Sequence, residues 1–174
     1  MNVKAMEGLP TEFLNFKKIL SQSNDLEISQ ILIEKESAEY GACSFVLNKK
    51  NIRFRSAKIT PTKTGQFVTL WKRINQGPIQ PFDNSDPIDL FIISVRKNDS
   101  FGLFAFPKAV LIEKGIVSEK KEGKRAIRVY PAWDLTTNKQ AQKTQKWQLD
   151  YFVEIPLNET IDLDRIKLLL DLKY

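Results

Sequence analysis

Apolar positions recur at helical spacing near both ends of the chain and at strand spacing between them. Pro10-Thr11 followed by Glu12 is a helix-start signal, and it opens TEFLNFKKILSQ. Phe13, Phe16 and Leu20 share one face of that helix, to which Lys17 adds only its stem. Residues 25–39 mix Ile and Leu with Glu34, Glu36 and Glu39, which predicts a second helix ending at Gly41 with its acids on a solvated face. From Tyr40 the period becomes two. GACSFVLN, a turn at Lys49-Lys50-Asn51 and IRFRSAKI read as a hairpin, and FVTLW reads as the next strand after the Thr64-Gly65 turn. In an extended segment Ile52 and Phe54 point one way and Arg53 and Arg55 the other, giving an oily back and a cationic front.

The stretch from Gln76 to Pro87 carries Gly77, Pro78, Pro81 and Pro87 and reads as a loop. LFIISV is apolar on both faces, as a covered central strand is, and the turn Lys97-Asn98-Asp99-Ser100 leads it into FGLFAF. Pro107 fits the first position of a short helix, KAVLIEK, that Gly115 terminates. Lys120 to Lys124 is a charged turn feeding RAIRVYPAW, and a polar helix spans roughly Thr137 to Tyr151. After Pro156, ETIDLDRIKLLLDL forms a closing amphipathic helix with acids in its first turn. Strands flanked by helices predict an α/β (α+β) fold, a central mixed sheet with helices on its faces, in one domain over residues 1–174.

Composition changes this picture mainly by exclusion. The 174 residues are 42% hydrophobic and 28% charged, an ordinary globular balance with enough material for a sizeable core. There is no His, which removes imidazole acid–base catalysis, His-assisted nucleophiles and His-ligated zinc. The one cysteine, Cys43, sits in an apolar stretch and reads as a small core residue. MNVKAMEGLPTEF lacks the apolar core of a signal peptide, and no run approaches a membrane span, so a cytoplasmic location without a membrane partner is expected.

Charge is distributed unevenly. Between Tyr40 and Phe82 there are eight cations (Lys49, Lys50, Arg53, Arg55, Lys58, Lys63, Lys72 and Arg73) and no acid. Between Lys120 and Leu149 there are eight more (Lys120, Lys121, Lys124, Arg125, Arg128, Lys139, Lys143 and Lys146) against Glu122 and Asp134. Cations of one sign interleaved with aromatics point to a polyanion, usually nucleic acid. Trp71, Tyr130, Trp133, Trp147 and Tyr151 are candidate stacking residues, although an aromatic residue is more often core than platform. Gln140, Gln142, Gln145 and Gln148 make the late helix polar enough to lie against a backbone or groove.

A second constellation is that of a metal-dependent phosphodiesterase. Asp89 opens the central strand and Lys108 follows the next one, in the strand order and spacing of PD-(D/E)xK nucleases, with Glu36 or Glu39 as an assisting acid. Such a site holds a divalent cation, Mg²⁺ for example, through its carboxylates while the Lys positions water. Phe106 stands where the second acid belongs, with Glu113 or Glu122 as candidates to supply one from elsewhere. A solvated basic face, a strand-start Asp89 and a helix-start Lys108 are the purely structural alternatives.

The segments EKESAEY, FRSAKITPTKTGQFVTLWKR, GLFAFPKAVL, GKRAIRVYPAWD and NKQAQKTQKWQLDYF resemble the MepB-like family, typified by a small protein encoded beside a multidrug efflux pump, from about Glu34 to Phe152. The resemblance implies a restriction-endonuclease-like fold with a degenerate active site and a nucleic-acid-binding role, without an assigned catalytic residue or a resident cofactor. The polar and aromatic positions it implies are Glu36, Arg55, Lys58, Lys63, Arg73, Lys108, Lys124, Arg128, Tyr130, Trp133, Gln145 and Trp147. The expected function is binding of DNA, with RNA as the alternative ligand, through phosphate contacts from Arg55, Lys58, Lys63, Arg73, Lys108, Lys124 and Arg128. About six such contacts give a log–log salt slope near −5 on duplex DNA. A divalent-metal endonuclease and an adaptor for an acidic protein partner are the competing functions.

Overall fold

The two faces of strand Leu90–Lys97 organise the molecule, seen in a computed structural model that describes residues 8–170. Leu90 and Ile92 point into one hydrophobic cluster, and Phe91, Ile93 and Val95 into another, so the strand is buried on both sides as its unbroken apolar run predicts. In chain order the elements are α1 (Thr11–Leu20), β1 (Ile28–Ile33), a 3₁₀ turn (Ala38–Tyr40), β2 (Cys43–Leu47), β3 (Lys50–Ser56), β4 (Lys58–Ile59), β5 (Gln66–Thr69), β6 (Trp71–Arg73) and β7 (Ile79–Pro81). Then come β8 (Leu90–Lys97), β9 (Ser100–Pro107), α2 (Lys108–Glu113), β10 (Ala126–Val129), α3 (Lys139–Gln148), a 3₁₀ turn (Leu149–Tyr151), β11 (Phe152–Ile155) and α4 (Leu163–Leu170).

The main sheet has the order β1-β2-β3-β8-β9-β11, with β3 and β8 parallel and its other pairs antiparallel. One face is covered by α1 and α4, through Phe13, Phe16, Leu20, Ile166 and Leu169. The other face is covered by a second layer: a three-stranded sheet β10-β5-β4, α2, and the aromatic residues of α3 and the turn after it. The predicted mixed α/β architecture is therefore observed. Cys43 is fully buried, and burial pushes its thiol up to about 12.

Three local expectations change and one strand is added. Residues 25–39 are not a helix. Ile28–Ile33 is edge strand β1, and its alternation is broken by a register shift between Ser29 and Leu32 with Gln30 at φ +52°, a bulge that hides the period of two. FVTLW is split, because Leu70 turns into the core and donates its N–H to the Arg125 carbonyl at 2.8 Å. The proline-rich loop contains β7, which pairs with β6 in a small ribbon that tolerates Pro81. Finally, Phe152–Ile155 is the edge strand next to β9, too short between a helix and Pro156 to show a period.

Candidate nucleic-acid interface

Pairing of β10 with β5 joins the two basic stretches. Arg128 lies opposite Phe67, and Phe67 lies opposite Lys58 on β4, so the three residues form one cross-strand row. On the inner side of the same strands Gln66, Val68 and Val129 are buried, which turns the Lys58–Phe67–Arg128 row outward. Helix α3 stands beside this sheet. Buried Gln148 fastens it there, accepting the Tyr130 N–H at 2.8 Å and donating to the Arg128 carbonyl at 2.9 Å. Asn138 caps the helix by accepting the Ala141 N–H at 2.8 Å.

Between sheet and helix lies an open cleft of about 550 Å³. Its cations are Lys63, Lys114, Lys124 and Arg128, and among the described residues no Asp or Glu lines it. Phe67, Tyr130 and Trp147 bring aromatic surface, and Gln140 and Thr144 face it from α3. The Arg128 guanidinium donates to the Gly65 carbonyl at 3.2 Å and to the Thr60 hydroxyl at 2.6 Å. It thereby holds the loop from Thr60 to Gly65 that carries Lys63, and no carboxylate among the described residues neutralises it. Gly65 is needed in that loop. Its φ is +81°, and a Cβ there would lie 2.6 Å from the Tyr130 ring.

The sequence-predicted residues divide into two groups. Lys63, Lys124, Arg128, Tyr130 and Trp147 meet around the cleft, and Lys58 extends the row with its ammonium 4.7 Å from the centre of the Tyr40 ring. The others are elsewhere. Arg55 is 1% exposed and paired with Glu34 at 2.6 Å, so it is a core cation and is withdrawn from the phosphate contacts. Burial pulls its guanidinium below the ordinary arginine value, and Glu34 opposes that shift. Arg73 is paired with Glu36 at 2.9 Å and donates to the Gly77 carbonyl at 2.7 Å. The Lys108 ammonium is held by the carbonyls of Asn84 and Asp86 at 3.1 and 2.9 Å. Trp133 packs edge-on against Phe152 in the core. Gln145 fastens the loop before α3, donating to the carbonyls of Pro131 and Asp134 at 2.9 Å each.

Of the vestigial nuclease residues, Asp89 and Lys108 are neighbours through the backbone, the Lys108 N–H donating to the Asp89 carbonyl at 3.1 Å, but their side chains serve different partners. The Asp89 carboxylate accepts the Asn51 N–H at 2.8 Å, tying the start of β8 to β3, while Glu36 is committed to Arg73 and the Lys108 ammonium to backbone carbonyls. Phe106 is fully buried, 5.4 Å from Phe104 and 5.3 Å from Trp147 between ring centres. Glu113 and Glu122 pair with Lys114 and Arg125 on the surface. Among the described residues no three acids or Cys lie together as metal ligands, so these side chains do not fit a shared Mg²⁺ ion.

Comparison with known proteins places the chain. A family model described as MepB-like matches residues 34–154. The chain belongs to the MepB-like family. A solved structure described as the crystal structure of MepB is 35% identical, with a TM-score of 0.74 over 87% of this chain and 99% of that one. A bacterial homing endonuclease, I-Ssp6803I, is 14% identical with a TM-score of 0.45 over 87% of this chain and 94% of its own. Among curated proteins nothing matches. The MepB-like match runs from just after β1 into β11 and so includes every strand that builds the cleft. Sequence reasoning missed Phe67, Lys114 and Thr144 as cleft residues, whereas Gln140 is one of the late-helix glutamines expected to lie against a groove. Phe67 was legible in principle, one position from each of the inward-facing Gln66 and Val68, whereas Lys114 reaches the cleft only through the docking of α2 under Trp147.

Proposed function

We propose that this MepB-like protein binds nucleic acid, DNA with RNA as the alternative, in the cleft between the β10-β5-β4 sheet and α3. Lys58, Lys63, Lys124 and Arg128 supply the phosphate contacts, and Tyr130 and Trp147 form aromatic walls. One observation carries the reading: strand pairing of β5 with β10 brings cations from two separate parts of the chain to a cleft lined by no acid among the described residues. Uncompensated positive charge in a concave, partly desolvated setting attracts a polyanion more strongly than the same charge on a convex surface. Among the described residues Lys63 and Lys124 have no carboxylate partner, so occupying them breaks no ion pair. No helix among the described residues is long and apolar enough to cross a membrane.

Titrating labelled oligonucleotides against the wild type and Lys63→Glu/Lys124→Glu tests the reading by fluorescence anisotropy. Two reversed charges at the cleft are expected to weaken binding by at least about tenfold. Equal reversals at Lys17 and Lys18, on the helix covering the opposite face of the main sheet, are expected to leave it within about twofold. Loss of equal size from both pairs would contradict the cleft as the site. A protein partner that survives nuclease treatment of a lysate, with no oligonucleotide bound by the purified chain, would favour the adaptor function instead.

A further inference from the structure

Phosphate contacts explain the rim of the cleft and leave its interior unaccounted for. The interior is built from Phe67, Ile127, Tyr130, Ala141 and Trp147, surface that a duplex resting its backbone on Lys63, Lys124 and Arg128 would leave unused. A volume of about 550 Å³ is within the roughly 300–1,000 Å³ that holds a small-molecule-sized group. One unpaired nucleotide fits both halves of this description, its base against aromatic surface and its phosphates toward the lysines. Two polar side chains, Gln140 and Thr144, face the cleft one turn apart on α3, and neither has a hydrogen-bond partner among the described residues. They are placed as donors and acceptors for the edge of a base. Trp147 keeps one side on Phe106, 5.3 Å between ring centres, which fixes its ring without closing the cleft.

We infer that the cleft is a base-accepting site for single-stranded nucleic acid, in which an unpaired base inserts beside Trp147 and Tyr130 while Lys63 and Lys124 hold the flanking phosphates; this rests on the nucleic-acid reading above. Stacking is indifferent to sequence because every base has a π-face, so a preference for unpaired over paired strands is the specificity this site provides.

The test uses the full chain, a labelled oligothymidylate and a duplex of equal length in the same buffer, read by anisotropy and by tryptophan fluorescence. The expected result is that the single strand binds at least about fivefold more tightly than the duplex and quenches part of the emission. Trp147→Phe should remove that quench and leave the emission of Trp71 and Trp133 unresponsive. Thr144→Phe, at a half-exposed helix position, fills the cleft and should weaken the single strand at least about fivefold, removing its preference over the duplex. If Trp147→Phe fails to fold, Thr144→Phe alone decides. Equal affinity for both strands without quenching overturns the base-accepting site and leaves surface phosphate binding standing. No binding of either oligonucleotide overturns both.

Discussion

At the scale of single residues, the outcome turns on what covers the second face of a strand. Arg53 and Arg55 do oppose Ile52 and Phe54 as strand alternation requires, with Ile52 and Phe54 in the core beneath α1. The face on which they lie is not open solvent. A second layer covers it, so Arg55 is buried with Glu34, which also accepts from Arg53 at 2.8 Å. A period of two identifies a side and says nothing of whether another layer packs there. The pair is costly to break. Arg55→Met leaves the Glu34 carboxylate half-covered with only Arg53, and Glu34→Gln leaves a guanidinium fully buried without its anion. Glu34→Gln is expected to destabilise by about 3–5 kcal/mol, and Arg55→Met by less, as measured by urea unfolding. Neither substitution should alter the salt dependence of oligonucleotide binding.

Asp83 makes a pH-dependent contribution. A hydrogen bond from Lys72 at 2.6 Å, followed by one from the Ser85 hydroxyl, holds its carboxyl down at about 2 against 3.8 in the free side chain. A depressed carboxylate stabilises the fold at any pH above its unfolded value and loses that contribution as pH falls through the folded one. The loss therefore lies between about pH 4 and about pH 2. Asp83→Asn should flatten that part of the stability–pH curve and lower the plateau above it, which denaturant titrations at a series of acidic pH values would show.

At the scale of elements, the strongly periodic ones were legible and the short or irregular ones were not. Helix α1 and strands β8 and β9 follow from repeated apolar positions that coincide with the observed core. Strand β1 was hidden by its bulge, and β11 by its four residues. Helix α3 was legible from its polarity, but its orientation rests on two long-range hydrogen bonds that no local pattern encodes. Gln148 makes both of them, to Arg128 on β10 and to Tyr130 just past its end, from a fully buried position. Gln148→Ala leaves the Tyr130 N–H and the Arg128 carbonyl without their partner, an expected cost of about 1–3 kcal/mol. Amide exchange at Tyr130 should accelerate, and binding in the cleft should weaken because its two walls are no longer fastened together. Unchanged exchange at Tyr130 would mean that α3 is held by its apolar contacts alone.

At the scale of the whole molecule, the mixed α/β sheet follows from the alternation of strand and helix patterns, and the MepB-like match extends from β2 into β11. The meeting of two cationic stretches was readable as charge and not as geometry. Residues near 58 and near 128 become neighbours only through β5, and nothing local to either stretch says which strand it will join. The same folding separates Arg73 and Lys108 from the cleft by giving them carboxylate or carbonyl partners, so the electrostatic footprint is smaller than the sequence count of cations.

Affinity for an oligonucleotide as a function of salt tests the central claim most directly. Four contacts, from Lys58, Lys63, Lys124 and Arg128, predict a log–log slope of about −3, and about −1.5 once Lys63 and Lys124 are both replaced by Gln. A wild-type slope near zero, or one that the double replacement leaves unchanged, would contradict the assignment of this cleft as the place where the polyanion binds.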